Sequence, residues 1–124
     1  MAKGDDIRER LVNFAVLALD LSDQLPRTPA GSHVALQFLR SATAAAPNYA
    51  EARGAESARD FVHKLGVALK ELNEAEVWLD VIIRKGLLPG DKALRVRDEC
   101  CALCRILAAS VRTAGSKLSR VNNA

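Results

Sequence analysis

Three groups of side chains have the types and spacing for chemistry. Cys100-Cys101-Ala102-Leu103-Cys104 contains a Cys-x-x-Cys, which in other settings grips zinc or exchanges thiols. A zinc site needs two further soft ligands, and a thiol-exchange motif belongs at a helix start after a strand. Neither is evident, so small thiols buried on a helix face are the better reading. Asp60-Phe61-Val62-His63 is the one acid-x-x-His in the chain. A ferritin-like dimetal centre needs two Glu-x-x-His pairs and two more inward carboxylates, so the metal reading fails on count and no cofactor is expected. Glu71 and Glu74 lie about one helical turn apart, as an acid/base pair could, yet Lys70 and Arg84 nearby make a salt-bridge network the simpler role. No Gly-rich phosphate loop or nucleophile triad stands out, and the chain is not expected to be an enzyme.

The cations offer a different chemistry. The net charge of +3 is mild but unevenly placed: after Glu99 the chain carries Arg105, Arg112, Lys117 and Arg120 and no acid. Arg105, Arg112 and Lys117 recur near helical spacing, and an oligomer would multiply their field around its axis. With Arg40 and Arg53 they form the candidate surface for a polyanion, whose binding would be electrostatic and salt-sensitive. The plain alternative is a solvated helix face, or cations that pair with acids across subunits of a protein scaffold.

Four amphipathic segments must position these groups. Ile7, Leu11, Phe14, Ala18, Leu21 and Leu25 alternate in spacings of four and three, which predicts a helix over about 5–25. Asp6 with Glu9 resembles a capping box, and Pro26 and Pro29 stop the helix. Thr28 before Pro29 caps a second helix over 29–53, with Ala35, Leu39, Ala42, Ala46 and Ala50 expected inward and a kink expected at Pro47. Ser57 begins a third over 57–85, whose stripe runs Phe61, Leu65, Ala68, Leu72, Ala75, Leu79 and Ile82 before Gly86. Asp91 caps a fourth over 91–114, with Ala93, Val96, Cys100, Leu103, Leu107 and Ala114 inward and Gly115 marking its end. Short turns between four such helices predict an all-α, antiparallel up-and-down four-helix bundle over residues 1–117, followed by a flexible tail at 118–124.

Composition agrees with this class. Aromatics make up only 4% of the 124 residues, so the core must be Leu, Val, Ile and Ala, which suits close-packed helices better than a β-sandwich. No run approaches the ~20 apolar residues of a membrane span, and the start of the chain lacks an apolar signal core, so a cytoplasmic protein without membrane contact is expected. Three cysteines, two of them adjacent, fit a reducing compartment.

Helix three carries more apolar surface than one core needs. Val67, Trp78 and Val81 fall about 100° or more from its main stripe, on a face shared with Asp60, His63, Lys70 and Glu74. An apolar strip rimmed by charge predicts a subunit interface built on Asp60, Val67, Glu74, Trp78 and Val81; burial by the chain's own helices is the alternative.

The residues also carry a resemblance. Leu25-Pro26, Gln37-x-Leu39-Arg40-Ser41-Ala42-Thr43, Pro47-Asn48-Tyr49-Ala50-Glu51-Ala52, Ala55-Glu56-Ser57 and Asp60-Phe61-x-His63-Lys64-Leu65 occur in this order. With Leu69-Lys70-Glu71, Glu74, Trp78-Leu79 and Gly86-Leu87, this pattern resembles the four-helix-bundle family of 23S ribosomal RNA intervening-sequence proteins across nearly the whole chain. The family motif reads closer to Ser-Ile-x-x-Asn-Ile-Ala-Glu-Gly. Here Ala44-Ala45 and Tyr49 replace parts of it and Ala52 replaces the glycine, while Asn48 and Glu51 stand intact and Gly54 serves the turn instead. The resemblance implies a bundle that assembles as a ring, commonly a homopentamer, encoded within ribosomal RNA insertions or as a free-standing gene. It extends to the accessory protein of diversity-generating retroelements, a basic pentamer that binds a reverse transcriptase and nucleic acid. The expectation is a non-enzymatic homo-oligomer that binds RNA or a nucleic-acid-handling protein through Arg40, Arg53, Arg105, Arg112 and Lys117.

Overall fold

The computed structural model describes residues 4–123 and contains four helices: α1 (Asp5–Asp23), α2 (Pro29–Arg53), α3 (Ala58–Lys85) and α4 (Lys92–Asn123). The chain is all-α, with no strand among the described residues. Residues 1–3, counted within the expected bundle, and Ala124, counted within the expected tail, lie outside them. No described helix is long and apolar enough to cross a membrane.

Local chemistry sets most of the boundaries. The Thr28 hydroxyl accepts the Gly31 amide at 3.0 Å and the Ser57 hydroxyl accepts that of Asp60 at 3.0 Å, so each satisfies a donor that its helix start leaves over. Gly86 closes α3 at φ 68°, a left-handed conformation in which a Cβ would be strained. The start of α1 differs from the capping box expected at Asp6 and Glu9. Its cap is Gly4 at φ 91° with no side-chain bond, and Asp5 and Asp6 instead lie in the first turn, where the helix dipole favours acids. α2 continues through Pro47, whose ring is on the exposed side, to Arg53.

α4 departs most from expectation. It runs to Asn123, through Gly115, so the expected end at 114 is corrected and the expected flexible tail is helical over 118–123. A glycine inside a helix costs only about 1 kcal/mol relative to alanine. The apolar spacing continues past it through Leu107, Val111, Ala114, Leu118 and Val121, so a longer helix keeps its apolar face.

The helices surround one core. α2 packs against α1 and α3, and α4 against α3 and α1, while neither α1 with α3 nor α2 with α4 are neighbours. Leu11, Phe14, Ala18, Leu21 and Leu25 of the first segment, the α3 stripe from Leu65 to Ile82, and Ala93, Val96, Cys100, Leu103 and Leu107 of α4 are buried as their spacing predicts. Helix α2 is rotated from expectation. Val34, Phe38, Ser41, Ala42, Ala45, Tyr49 and Ala52 face inward, and of the expected set only Ala42 is fully buried, with Ala50 exposed. The larger Val34, Phe38 and Tyr49 remove more apolar area from water than the alanines beside them, and that sets the rotation.

One end of the molecule is defined by long-range bonds. At the start of α1, Asp5 pairs with Arg53 at the end of α2 at 2.7 Å, and the Tyr49 hydroxyl donates to the Gly4 carbonyl at 3.3 Å. Four connecting residues later α3 begins, and its first turns lie beside the last turns of α4.

Candidate nucleic-acid interface

α4 supplies most of the cations in question. Arg105 and Arg112, seven residues or nearly two turns apart, share a face and are both exposed. Arg120 and Lys117 are exposed on the turns beyond. Five residues separate Lys117 from Arg112, a rotation of about 140°. Lys117 therefore leaves the arginine face and lines a groove instead.

The cations nearer the start of α4 are committed elsewhere. Arg10 of α1 makes a two-pronged bond to Glu99 at 2.8 and 2.9 Å, and Arg97 bonds Asp80 of α3. Hydrogen bonds to these carboxylates, reinforced by their charge, raise both guanidinium pKa values further, so each is held as a structural ion. Arg53, expected at the polyanion surface, is paired with Asp5. Arg40 lines a polar hollow of about 290 Å³ between α2 and α3, with Gln37, Ser41, Ala44, Glu71 and Glu74. The structure thus gathers Arg105 and Arg112 on one face and puts Arg40 beside two acids on another.

Of the interface candidates on α3, Trp78 and Glu74 lie beside α2. Trp78 is half-buried, and its ring meets His33 edge-on at 5.9 Å and 80°; Val81 also packs partly on the core. Val67 is half-buried, Asp60 pairs with Lys64 at 3.6 Å, and Glu74 is exposed at the hollow. The most exposed large apolar side chains of these two helices are Val77, at 57%, and Leu36, at 55%. Sequence reasoning passed over both because neither extends a stripe.

The thiols are held inside the α3–α4 contact. Cys100 is buried with its sulfur 3.4 Å from the Leu72 carbonyl, and the Cys101 thiol donates to Glu76 at 2.6 Å. Contact with Cys104, then burial, pushes Cys100 far above an ordinary thiol, and the same contact draws Cys104 down against its own burial. Cys100 has one proton to share between Cys104 and the Leu72 carbonyl; burial raises it under either arrangement. Cys101 is pushed up to about 11 by burial and by the Glu76 carboxylate. Iodoacetamide labelling followed by mass spectrometry is therefore expected to modify Cys104 first, Cys101 at a rate still climbing toward pH 11, and Cys100 only on unfolding. Faster labelling of Cys100 than of Cys104 in folded protein would contradict this arrangement. Among the described residues no three His, Cys, Asp or Glu side chains are placed to hold a metal ion.

A second groove, of about 510 Å³, separates the start of α3 from the end of α4. Phe61 and Val62 form one wall, and Ala114, Leu118 and Val121 the other, with Lys117 at its edge. Reading Gly115 as a stop concealed it, although the spacing of Ala114, Leu118 and Val121 was the available signal.

Four packed helices with a cationic last helix define a small all-α protein with no strand among its described residues. The 23S rRNA-intervening sequence protein family matches residues 5–109, and the chain belongs to that family. The crystal structure of a protein of unknown function from the S23 ribosomal protein family of Bacteroides thetaiotaomicron VPI-5482 is similar, with 30% identity and a TM-score of 0.79 over 85% of this chain and 97% of that one. No curated protein matches the chain. The family match ends at residue 109, so the α4 wall of the second groove, from Ser110 onward, lies beyond it.

Proposed function

We propose that this protein is a non-enzymatic, cytoplasmic, antiparallel up-and-down four-helix bundle that assembles with its own copies and binds RNA or a nucleoprotein through α4. The observation that carries this reading is the acid-free stretch of α4 after Glu99, along which Arg105, Arg112, Lys117 and Arg120 are all exposed. Phosphate chains are bound by such unpaired cations through release of counterions, and cations already bonded to carboxylates contribute little. Arg105 and Arg112 therefore lead, while Arg53 and Arg40 have a secondary part. The up-and-down arrangement is supported by the pairing of Asp5 with Arg53 and by the contacts from Asp80 to Arg97 and from Glu76 to Cys101, which descend one helix as they climb the other. A non-catalytic role is supported by the occupations of the reactive groups: Cys100 and Cys101 are hydrogen-bonded within the fold, and Glu71 and Glu74 share a hollow with Arg40. Three free cysteines favour the cytoplasm.

Purified protein tests this reading through the ratio of its absorbance at the nucleic-acid and protein maxima, followed by retention on single-stranded RNA. Co-purifying nucleic acid, or retention at low salt that is lost as salt rises, is expected. An absorbance ratio of pure protein together with no retention at any salt would remove the reading and leave a protein-interaction scaffold.

Self-association is supported by Val77, Leu36 and the half-buried Trp78 on the α2–α3 side, with charged residues around them. Trp78→Glu is expected to yield a smaller particle in light scattering while helicity persists. An unchanged particle mass would exclude Trp78 from any interface.

A further inference from the structure

The groove between α3 and α4 is one stretch of a longer strip. Glu99, Leu103, Ile106, Ser110, Thr113, Lys117 and Val121 succeed one another at spacings of three and four and so lie along a single face of α4. At Glu99 that face is met by Arg10 of α1. α1 begins at Asp5, five residues before Arg10, or about 8 Å of helix, whereas α4 continues to Asn123, 24 residues beyond Glu99, or about 36 Å. Beyond the start of α1 the strip has no covering helix among the described residues. Its apolar side chains stay open there, with Val121 at 72% exposure.

We propose that this groove is a docking site for an amphipathic helix of a partner protein, with an apolar stripe flanked by acidic residues, lying on α4 as a continuation of α1. Three properties select that occupant. Both walls are helices whose backbone groups, away from their ends, are bonded internally; an extended segment would find no main-chain partners, whereas a helix brings its own satisfied. The alanines at 58, 109 and 114 let a second helix approach closely between the ridges formed by Phe61, Leu118 and Val121. The charge of the strip reverses along its length. Where α1 covers it, acid Glu99 is met by base Arg10; in the groove the charged residue is Lys117, with Arg120 on the next turn, which calls for acids on the occupant. The proposal is separate from RNA binding by Arg105 and Arg112, which lie on another face of α4.

The test uses the full chain, methyl-labelled for NMR, and synthetic helical peptides about four turns long. One carries leucines at three- and four-residue spacing flanked by glutamates, a second has lysines in place of the glutamates, and a third has the first peptide's composition interrupted by proline. The acidic helix is expected to shift the methyls of Val62, Leu118 and Val121 and to bind at least about tenfold more tightly than either control. Ala114→Trp, which fills the groove, and Leu118→Ser, which removes apolar wall, are both expected to weaken it about tenfold or more while leaving retention on RNA unchanged. Equal binding of the three peptides, shifts confined to other methyls, or no shift would overturn the proposal. So would a stronger response of the same methyls to single-stranded RNA, to dodecanoate, or to concentration of the protein alone, which would assign the groove to nucleic acid, an acyl chain or a second copy. Loss of RNA retention in Arg105→Glu/Arg112→Glu with peptide binding intact separates the fate of the two sites.

Discussion

Arg105→Glu/Arg112→Glu is expected to lower affinity for single-stranded RNA by well over tenfold at low salt, without change in helicity. Each cation that neutralises a phosphate contributes about 0.7 to the slope of log affinity against log salt on a single strand, so loss of two should reduce that slope by about 1.4 per subunit engaged. Reversal of charge adds repulsion to that loss. Both side chains are exposed and form no ion pair among the described residues, so the substitution leaves those bonds of the fold in place. Arg53→Gln is the contrasting control. It removes the bond to Asp5 at the junction of α1 and α2 and should alter RNA binding far less than the double reversal. Filter retention across a salt series measures both, and equal losses in the two variants would place the anion elsewhere.

The second large effect lies in the core. Phe38 is fully buried on the face of α2 that turned inward in place of the Ala35, Leu39, Ala46 and Ala50 stripe. Phe38→Ala is expected to destabilise the protein by about 3–5 kcal/mol, because it removes a buried ring and leaves a cavity that close-packed helices fill only in part. Against a total stability of about 5–15 kcal/mol, this takes a large share. Leu36→Ala, two residues away but exposed, should change stability by less than about 0.5 kcal/mol. Urea unfolding followed by circular dichroism gives both values. Similar effects of the two would mean that α2 is rotated differently.

These two results bear on what can be read from residues alone. The stripes of α1, α3 and most of α4 are legible because one set of large apolar residues stands at helical spacing against a polar remainder. In α2 two stripes run side by side, Ala35-Leu39-Ala42-Ala46 and Val34-Phe38-Ala45-Tyr49, and spacing fits both. Side-chain size decides between them, since Phe38 and Tyr49 bury more area than any alanine. The end of α4 was hidden by reading Gly115 as punctuation, although a mid-helix glycine costs only about 1 kcal/mol and the spacing of Ala114, Leu118 and Val121 carries the face past it. The cation strip was legible as charge; its division was not. That Arg53 meets Asp5, 48 residues away, and that Lys117 turns to the groove are consequences of packing and of a rotation of about 140°, which composition does not encode.

The slope of log affinity against log salt for the wild-type protein on fluorescently labelled single-stranded RNA bears most directly on α4 as a polyanion-binding surface. At least two phosphate contacts per engaged subunit should give a slope of about −1.4 or steeper, reduced by the paired Arg105 and Arg112 reversals. A flat line, or a steep one that those reversals leave unaltered, would contradict the account.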